Sequence, residues 1–508
     1  MTAVERTRSG FRIDGSYRRP GSGNVIIGGS PLRLFRLTAA GQHAADALER
    51  DATLPRGHAR LTDRLLDAGA IHPVPADIGA TPGEVTVVTP AFDALPDLHP
   101  HDHPHDLDPH DHPHADPPLD TIIVDDGSEV PLVVGPGQAH VRLIRLERNC
   151  GPGAARNAGL AEVSTAFVAF VDTDVELSDG WLGPLLAHFA DPKVALVAPR
   201  VRTSPGGSAL VDDYETLRGS LDLGSIEARI APGSRVAYVP AAAIVCRVAA
   251  LRRVAGVAGV AGVAGIAGIA GVAGAGGFDE QLRFGEDVDL VWRLHEAGWR
   301  CRYEPASEVT HRARPTLAGW ARQRFAYGTS AAPLAARHPG ALAPLRVSGW
   351  SAGVWALLAL RRPGAAAVVA AATAVALQRK LRGVPPAESA RLALIGHLYA
   401  GEQISRAITR AWSPIALAAA VLVRSARLPL AAAMVVPPAL AWVRGRDQRT
   451  GRTAPRDLAS FVAMYVADDL IYGGGVWAGA WRARSPAALL PDLRNWPPRR
   501  GREPRPDR

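Results

Sequence analysis

The sequence predicts an α/β protein built on a mostly parallel sheet, with a small winged-helix-like α+β unit before it and a helical region after it. Three observations carry that expectation. From Glu84 onward, short β-branched runs alternate with helical patterns. The runs "EVTVVTP", "DTIIVDDGS", "HVRLIRLERN" and "FVAFVDTD" carry mainly continuous apolar stretches, as strands covered on both faces do. Several close in carboxylates, at the strand ends where ligands collect in such sheets.

Residues 1–80 form the first unit. "GNVIIGGSPLRLFRLTAAGQHAADALER" is a Gly-punctuated strand followed by a helix with Thr38 as its N-cap. "ARLTDRLLDAGAI" is a second helix with apolar Leu61, Leu65 and Leu66, ending near Gly69. Helix, helix and a short β return make the winged-helix pattern. Residues 81–340 hold the sheet, with "GPGAARNAGLAEV" as an Ala-rich helix entered through Gly-Pro-Gly. Two low-complexity inserts interrupt it, a His/Asp tract at 99–118 and a VAG repeat at 254–277. Both read as surface loop expansions without chemistry, because loop-closure entropy grows slowly with length.

Residues 341–508 are rich in Ala, Leu and Val, with scattered Arg. Runs such as "WSAGVWALLAL", "GAAAVVAAATAVAL" and "LPLAAAMVVPPALAWV" fall short of the roughly 20 residues that a bilayer span needs. They suit buried helices, or membrane-inserted or interfacial hairpins whose Arg anchors face anionic lipid; membrane association is the expectation taken forward. "NWPPRRGREPRPDR" closes the chain as a basic tail.

A chain of 508 residues exceeds one ordinary core, so two or three domains are expected. The net charge of +8 suits nucleic acid, anionic lipid or a phosphorylated small substrate. No zinc-finger spacing or aromatic-interleaved basic stretch singles out nucleic acid, which is not expected as a partner. Cys150, Cys246 and Cys301 are isolated, which points to a reducing compartment without a disulfide framework. "MTAVERTRSGFRIDGSYRRP" has no apolar core of a secretory signal, so a cytoplasmic catalytic portion is expected, attached to the inner face of the membrane.

The chemistry rests on carboxylates. Asp172 and Asp174 flank Thr173 at the end of an apolar strand, where two hard oxygens can share Mg2+ or Mn2+. Such an ion leaves coordination positions for substrate phosphate. Asp125 and Asp126 end another strand and can accept from a base imide or a ribose hydroxyl. Arg156 and Asn157 open a helix whose N-terminal end favours anions. Glu286 and Asp287 begin the helix of "FGEDVDLVWRLHEAGW", where the macrodipole keeps a carboxylate ionised and fit to be a general base. His311, in "EVTHRAR", sits at a strand end where it can complete a metal shell. Each segment also has a plain structural reading: turn signal, helix cap or internal ion pair.

Taken in order, Thr89-Pro90-Ala, Asp-Asp-Gly-Ser, Arg-Asn-x-Gly, Asp-x-Asp, Gly-Glu-Asp and His resemble glycosyltransferase family 2 with its GT-A fold. The resemblance implies inverting transfer from a nucleotide diphosphate sugar, usually a uridine diphosphate sugar. It gives Asp126 to the nucleoside, Asp172 and Asp174 to the metal with His311 beside them, and Asp287 the role of base. The Gln-x-x-Arg-Trp motif of processive synthases is missing, with Trp320, Arg324 and Tyr327 as its substitute at the substrate. With "GGSPLRLFRLTAAG", "LLDAGAIHP" and "YGTSAAPLAARHPG" included, the chain resembles the glycosyltransferases of mycofactocin systems, which carry a peptide-recognition winged helix. This implies glucose transfer from UDP-glucose to the mycofactocin redox-cofactor precursor, with a precursor peptide and membrane lipid as further partners. A cell-envelope glycan or lipid acceptor, or a non-catalytic peptide-binding scaffold, are the alternatives.

Overall fold

The structure, a computed structural model, describes residues 8–75, 79–96, 119–135, 138–258, 277–445 and 458–492. The His/Asp tract and the basic tail from Asn495 lie outside the described residues, as does the VAG repeat beyond Ala258 and before Gly277. The described chain forms two compact units. One takes the residues up to Arg19, Ile26–Ser208 and Arg218–Arg314; the other takes Pro20–Val25, Ala209–Leu217 and the residues from Pro315 on.

The first unit begins with β1 (Phe11–Ile13), β2 (Val25–Gly28), β3 (Arg33–Arg36), α1 (Ala39–Glu49), α2 (Ala59–Leu66) and β4 (Ile71–Pro73). β1 pairs antiparallel with β4, while β2 and β3 make a separate two-stranded sheet. Thr38 caps α1, its side chain accepting from the Gly41 amide. Ile26, Phe35, Leu48, Leu65 and Ile71 make a small apolar core among these elements. Two helices and a β return are present, arranged as two small two-stranded sheets.

The central sheet has nine strands: β5 (Val85–Ala91), β6 (Thr121–Asp125), β7 (Val141–Arg145), β8 (Phe167–Val171), β9 (Val175–Leu177), β10 (Val194–Ser204), β11 (Ala228–Ile230), β12 (Ala243–Arg247) and β13 (Arg300–Arg312). Its order is β11-β13-β10-β12-β8-β5-β6-β7, with β9 paired to β13. β8-β5-β6-β7 is parallel throughout, and β10 runs parallel to β13. Antiparallel β12 joins these two blocks, so the sheet is mixed and largely parallel. β8 is buried along its whole length, which explains its unbroken apolar run. Helices of this unit are α3 (Pro152–Ala161), α4 (Leu182–Ala187), α6 (Val248–Ala258) and α7 (Glu286–Glu296); α5 (Ala209–Arg218) belongs mainly to the second unit. The first VAG residues continue α6, where a loop was expected from Val254.

The chain leaves β5 toward β6 and β7 on one side and returns to β8 on the other. In open α/β sheets such a reversal is where ligands bind, here at the carboxyl ends of β5, β6 and β8. α3 packs against β5 through Gly159, where an added Cβ would meet Val88 Cγ1 at 2.4 Å.

The second unit is helical: α8 (Leu317–Thr329), α9 (Ala331–Arg337), α10 (Gly349–Ala359), α11 (Pro363–Lys380), α12 (Pro386–Thr409), α13 (Ser413–Leu422), α14 (Arg427–Gly445) and α15 (Leu458–Arg482). Val211, Tyr214, Trp320, Phe461, Met464 and Tyr465 form a described hydrophobic core of this unit. Among the described residues one helix, Arg424–Arg444, is long and apolar enough to cross a membrane.

Gly159→Ala is expected to destabilise the full chain by about 1–3 kcal/mol, because α3 must move off β5. A shift in the urea midpoint measures this, and an unchanged midpoint would show that the contact is soft.

Candidate active site

The rim above β8 is where the sequence-derived carboxylates meet. β8 ends at Val171 and the chain turns at once, with the Asp172 amide donating to Ala242 O and the Val175 amide to Asp172 O. β9 then pairs with β13, placing Val175 opposite His311. Asp174 thereby meets His311, Nε2 to Oδ2 at 3.2 Å, and Arg314 reaches the same oxygen at 3.8 Å. Asp172 turns the other way and accepts from Arg156 Nη2 at 2.6 Å.

Arg156 is 3% exposed and joins three segments. Its Nη1 donates to Glu286 Oε1 at 2.8 Å, and its guanidinium lies 5.3 Å from the centre of the Phe278 ring. Burial works against its charge, while Asp172 and Glu286 outweigh that and hold the guanidinium protonated. The neighbouring Asn157 donates to Phe278 O and Glu280 Oε1 and accepts from the Phe278 amide. Together these residues fix the segment leading into α7.

α7 starts at Gly285, whose φ of +83° lies in the left-handed region that favours glycine. Its first turn presents Glu286 and Asp287 as neighbours, and Leu290, Val291 and Leu294, four to eight residues on, continue the same side of the helix into the core. Glu286 is buried on Arg156; burial pushes its carboxyl above the ordinary range, and the Asp287 charge adds to this. Asp287 is half-buried, accepting from the Val288 amide at 2.7 Å and the Ala241 amide at 3.3 Å. Burial raises its pKa too, the backbone amides and Arg156 oppose the rise, and the Asp172 charge supports it.

The Asp-Asp pair divides. Asp125 is wholly enclosed, accepting from the Ser128 and Leu132 amides and from Arg145 Nη1 at 2.6 Å. Asp126 accepts from the Cys150 and Gly151 amides at 2.7 and 2.8 Å. Gly127 sits between loops at φ +71°, where a Cβ would strike Arg148 backbone at 2.4 Å. Thr89 is buried in β5 and Pro90 is half-buried at its carboxyl end, opposite Val124.

Trp320, Arg324 and Tyr327 lie on α8, in the helical unit. Trp320 Nε1 donates to Glu215 at 2.8 Å, and Arg324 pairs with Glu215 and with Asp468. Both are buried among internal partners, and Tyr327 is half-buried. Asp172, Asp174, Arg156, Glu286, Asp287 and His311 are thus gathered in one unit, and the α8 trio belongs to the other. Sequence reasoning passed over two arginines. Arg314 follows His311 by three residues, a spacing that signals it. Arg145 becomes visible only through its sheet register opposite Asp125.

The profile of glycosyl transferase family 2 matches residues 114–251. The Pre-mycofactocin glycosyltransferase of Mycobacterium tuberculosis (strain CDC 1551 / Oshkosh) is 39% identical over 509 residues, covering 97% of this chain and all of that one. The chain belongs to the pre-mycofactocin glycosyltransferase family. It is accordingly a family 2 glycosyltransferase, and its mixed, largely parallel sheet is the GT-A arrangement that the motif order implied. The succinoglycan biosynthesis protein ExoO of Rhizobium meliloti is 27% identical over 201 residues, 39% of this chain and 53% of that protein. Among solved structures, the mannosyltransferase PcManGT from Pyrobaculum calidifontis, in complex with GDP-Man and Mn2+, is 18% identical, with a TM-score of 0.33; 65% of this chain and 87% of that one are covered.

Arg156→Ala leaves Glu286 without its cation and is expected to cost about 3–5 kcal/mol, read from chemical denaturation. The raised pKa of Asp287 sets a pH dependence. With Asp287 as the base that the family resemblance implies, protonation removes its capacity to accept, so kcat/KM is expected to rise with pH through a limb above the ordinary carboxylate range. A pH profile flat down to pH ~4 would contradict it.

Proposed function

We propose that the chain transfers glucose, with inversion, from UDP-glucose to a hydroxyl of the mycofactocin redox-cofactor precursor, in the cytoplasm. The observation that carries this reading is the half-buried Asp287 carboxylate, within electrostatic range of Asp172, beside a Glu286 that Arg156 keeps occupied. Asp287 takes the proton from the attacking acceptor hydroxyl. One base and no protein nucleophile give one displacement, hence inversion. Asp126, held by two loop amides, is assigned to the nucleoside.

The divalent cation, Mg2+ or Mn2+, is assigned to Asp172, Asp174 and His311. The donor types suit such an ion, carboxylate oxygens and an imidazole nitrogen, with Asp174 and His311 already in contact. Asp172 is turned onto Arg156 and no three such side chains are grouped among the described residues, so ion binding requires Asp172 to swing away from Arg156. When bound, such an ion neutralises the diphosphate leaving group. Arg314, beside Asp174, offers a planar fork suited to the same phosphate oxygens. The acceptor assignment rests on the name of the 39% identical M. tuberculosis relative, and the sugar on the family resemblance. The N-terminal unit, residues 1–80, is assigned to a precursor peptide, residues 81–340 to catalysis and residues 341–508 to the helical region.

The test is incubation of the purified chain with several nucleotide sugars, Mn2+ and the acceptor, read by mass spectrometry as glycoside plus nucleoside diphosphate. Asp287→Asn is expected to lower kcat by about 10²–10⁴-fold with donor affinity kept. Near-normal transfer by that variant would remove Asp287 as base. Chelation is expected to stop turnover and added Mn2+ to restore it; turnover that continues in chelator would remove the metal assignment.

A further inference from the structure

We propose that the helical unit seats itself in one leaflet of a membrane carrying anionic phospholipid, its apolar helices lying in the plane of the leaflet. This inference stands independently of the sugar, the metal and the acceptor.

A helix on the surface of a water-soluble domain carries charge on its outer face. Two helices of this unit do not. Between Arg362 and Arg379 the chain has no charged residue, and Ala366 is the one buried member of α11. The outward Val368 and Val375, seven residues apart, are 69% and 53% exposed. Between Arg427 and Arg444 charge is again missing, and the most apolar stretch of Arg424–Arg444 is 6% buried. α13 ends in Val421 and Leu422, exposed at 74% and 81%. These faces need an apolar medium, which hydrocarbon supplies.

Charge selects the lipid. Arg361 and Arg362 precede α11, while Arg379 and Lys380 end it; Arg424 and Arg427 precede the apolar part of α14 and Arg444 ends it. All seven are exposed, as head groups on anionic lipid require. The same placement sets orientation. A crossing helix carries its basic excess mainly at the cytoplasmic end, whereas these two are basic at both ends, which keeps both ends on one side. α11, about 27 Å long by its rise per residue, then lies flat. Its inner side packs on α10 and α12, and its outer side faces lipid.

The test uses the full chain and sealed vesicles added from outside, either phosphatidylcholine alone or phosphatidylcholine with phosphatidylglycerol. Flotation is expected to be about tenfold or more stronger with the anionic vesicles and to weaken in high salt. The double variant Val421→Glu, Leu422→Glu is expected to lose binding, and Arg424→Ser with Arg427→Ser to lose the anionic preference; unchanged circular dichroism keeps both informative. Gly364→Cys and Lys380→Cys should both label with an impermeant maleimide on vesicles. Equal binding to both vesicle types, protection of one α11 end, or a vesicle-independent dimer that the glutamates dissociate would each overturn the proposal.

Discussion

The acidic rim above β8 depends on one guanidinium. Arg156, nearly out of water, satisfies Asp172 at the end of β8 and Glu286 at the start of α7, and rests on the Phe278 ring between them. Two carboxylates drawn from a strand end and a helix start would otherwise repel each other in a poorly solvated place. A buried charge left without its partner costs several kcal/mol, so the sheet, α3 and α7 hold their positions through this residue. Asn157 extends the effect by clamping Phe278 and Glu280. The helix that carries Arg-Asn at its middle, α3, therefore acts as a brace for the residues around it.

That brace sorts six carboxylates by role. Asp125 is consumed by its loop and by Arg145. Glu286 is consumed by Arg156. Asp126 keeps a loop in place at the carboxyl end of β6. Asp172, Asp174 and Asp287 retain exposed surface, the first two on the β8 turn and the last in the first turn of α7. Neighbours in sequence thus have opposite fates, as Glu286 and Asp287 show, because successive residues of a helix point about 100° apart.

The helical unit divides its charges in a similar way. Glu215 and Asp468 are buried against Arg324, with Trp320 and Tyr214 donating to them, which gives that core a polar centre with matched donors. Arg361, Arg362, Arg379, Arg427 and Arg444 stand instead at the ends of α11 and α14, exposed.

Much of this was legible in the sequence. Strand ends rich in Asp, the Gly-Glu-Asp helix start, the Thr38 cap and the order of acidic motifs depend on neighbours along the chain, and propensity and spacing report such relations. The family followed from that order. What only the tertiary structure decided was which charges meet. Arg156 and Glu286 are 130 residues apart, and Asp174 meets His311 because β9 pairs with β13. Trp320 and Arg324, legible as substrate contacts by their position after His311, turn into the interior of the helical unit because Glu215 and Asp468 are there to receive them. A carboxylate's neighbours along the chain say that it sits at a strand end; its neighbours in space determine whether it is left with an open side.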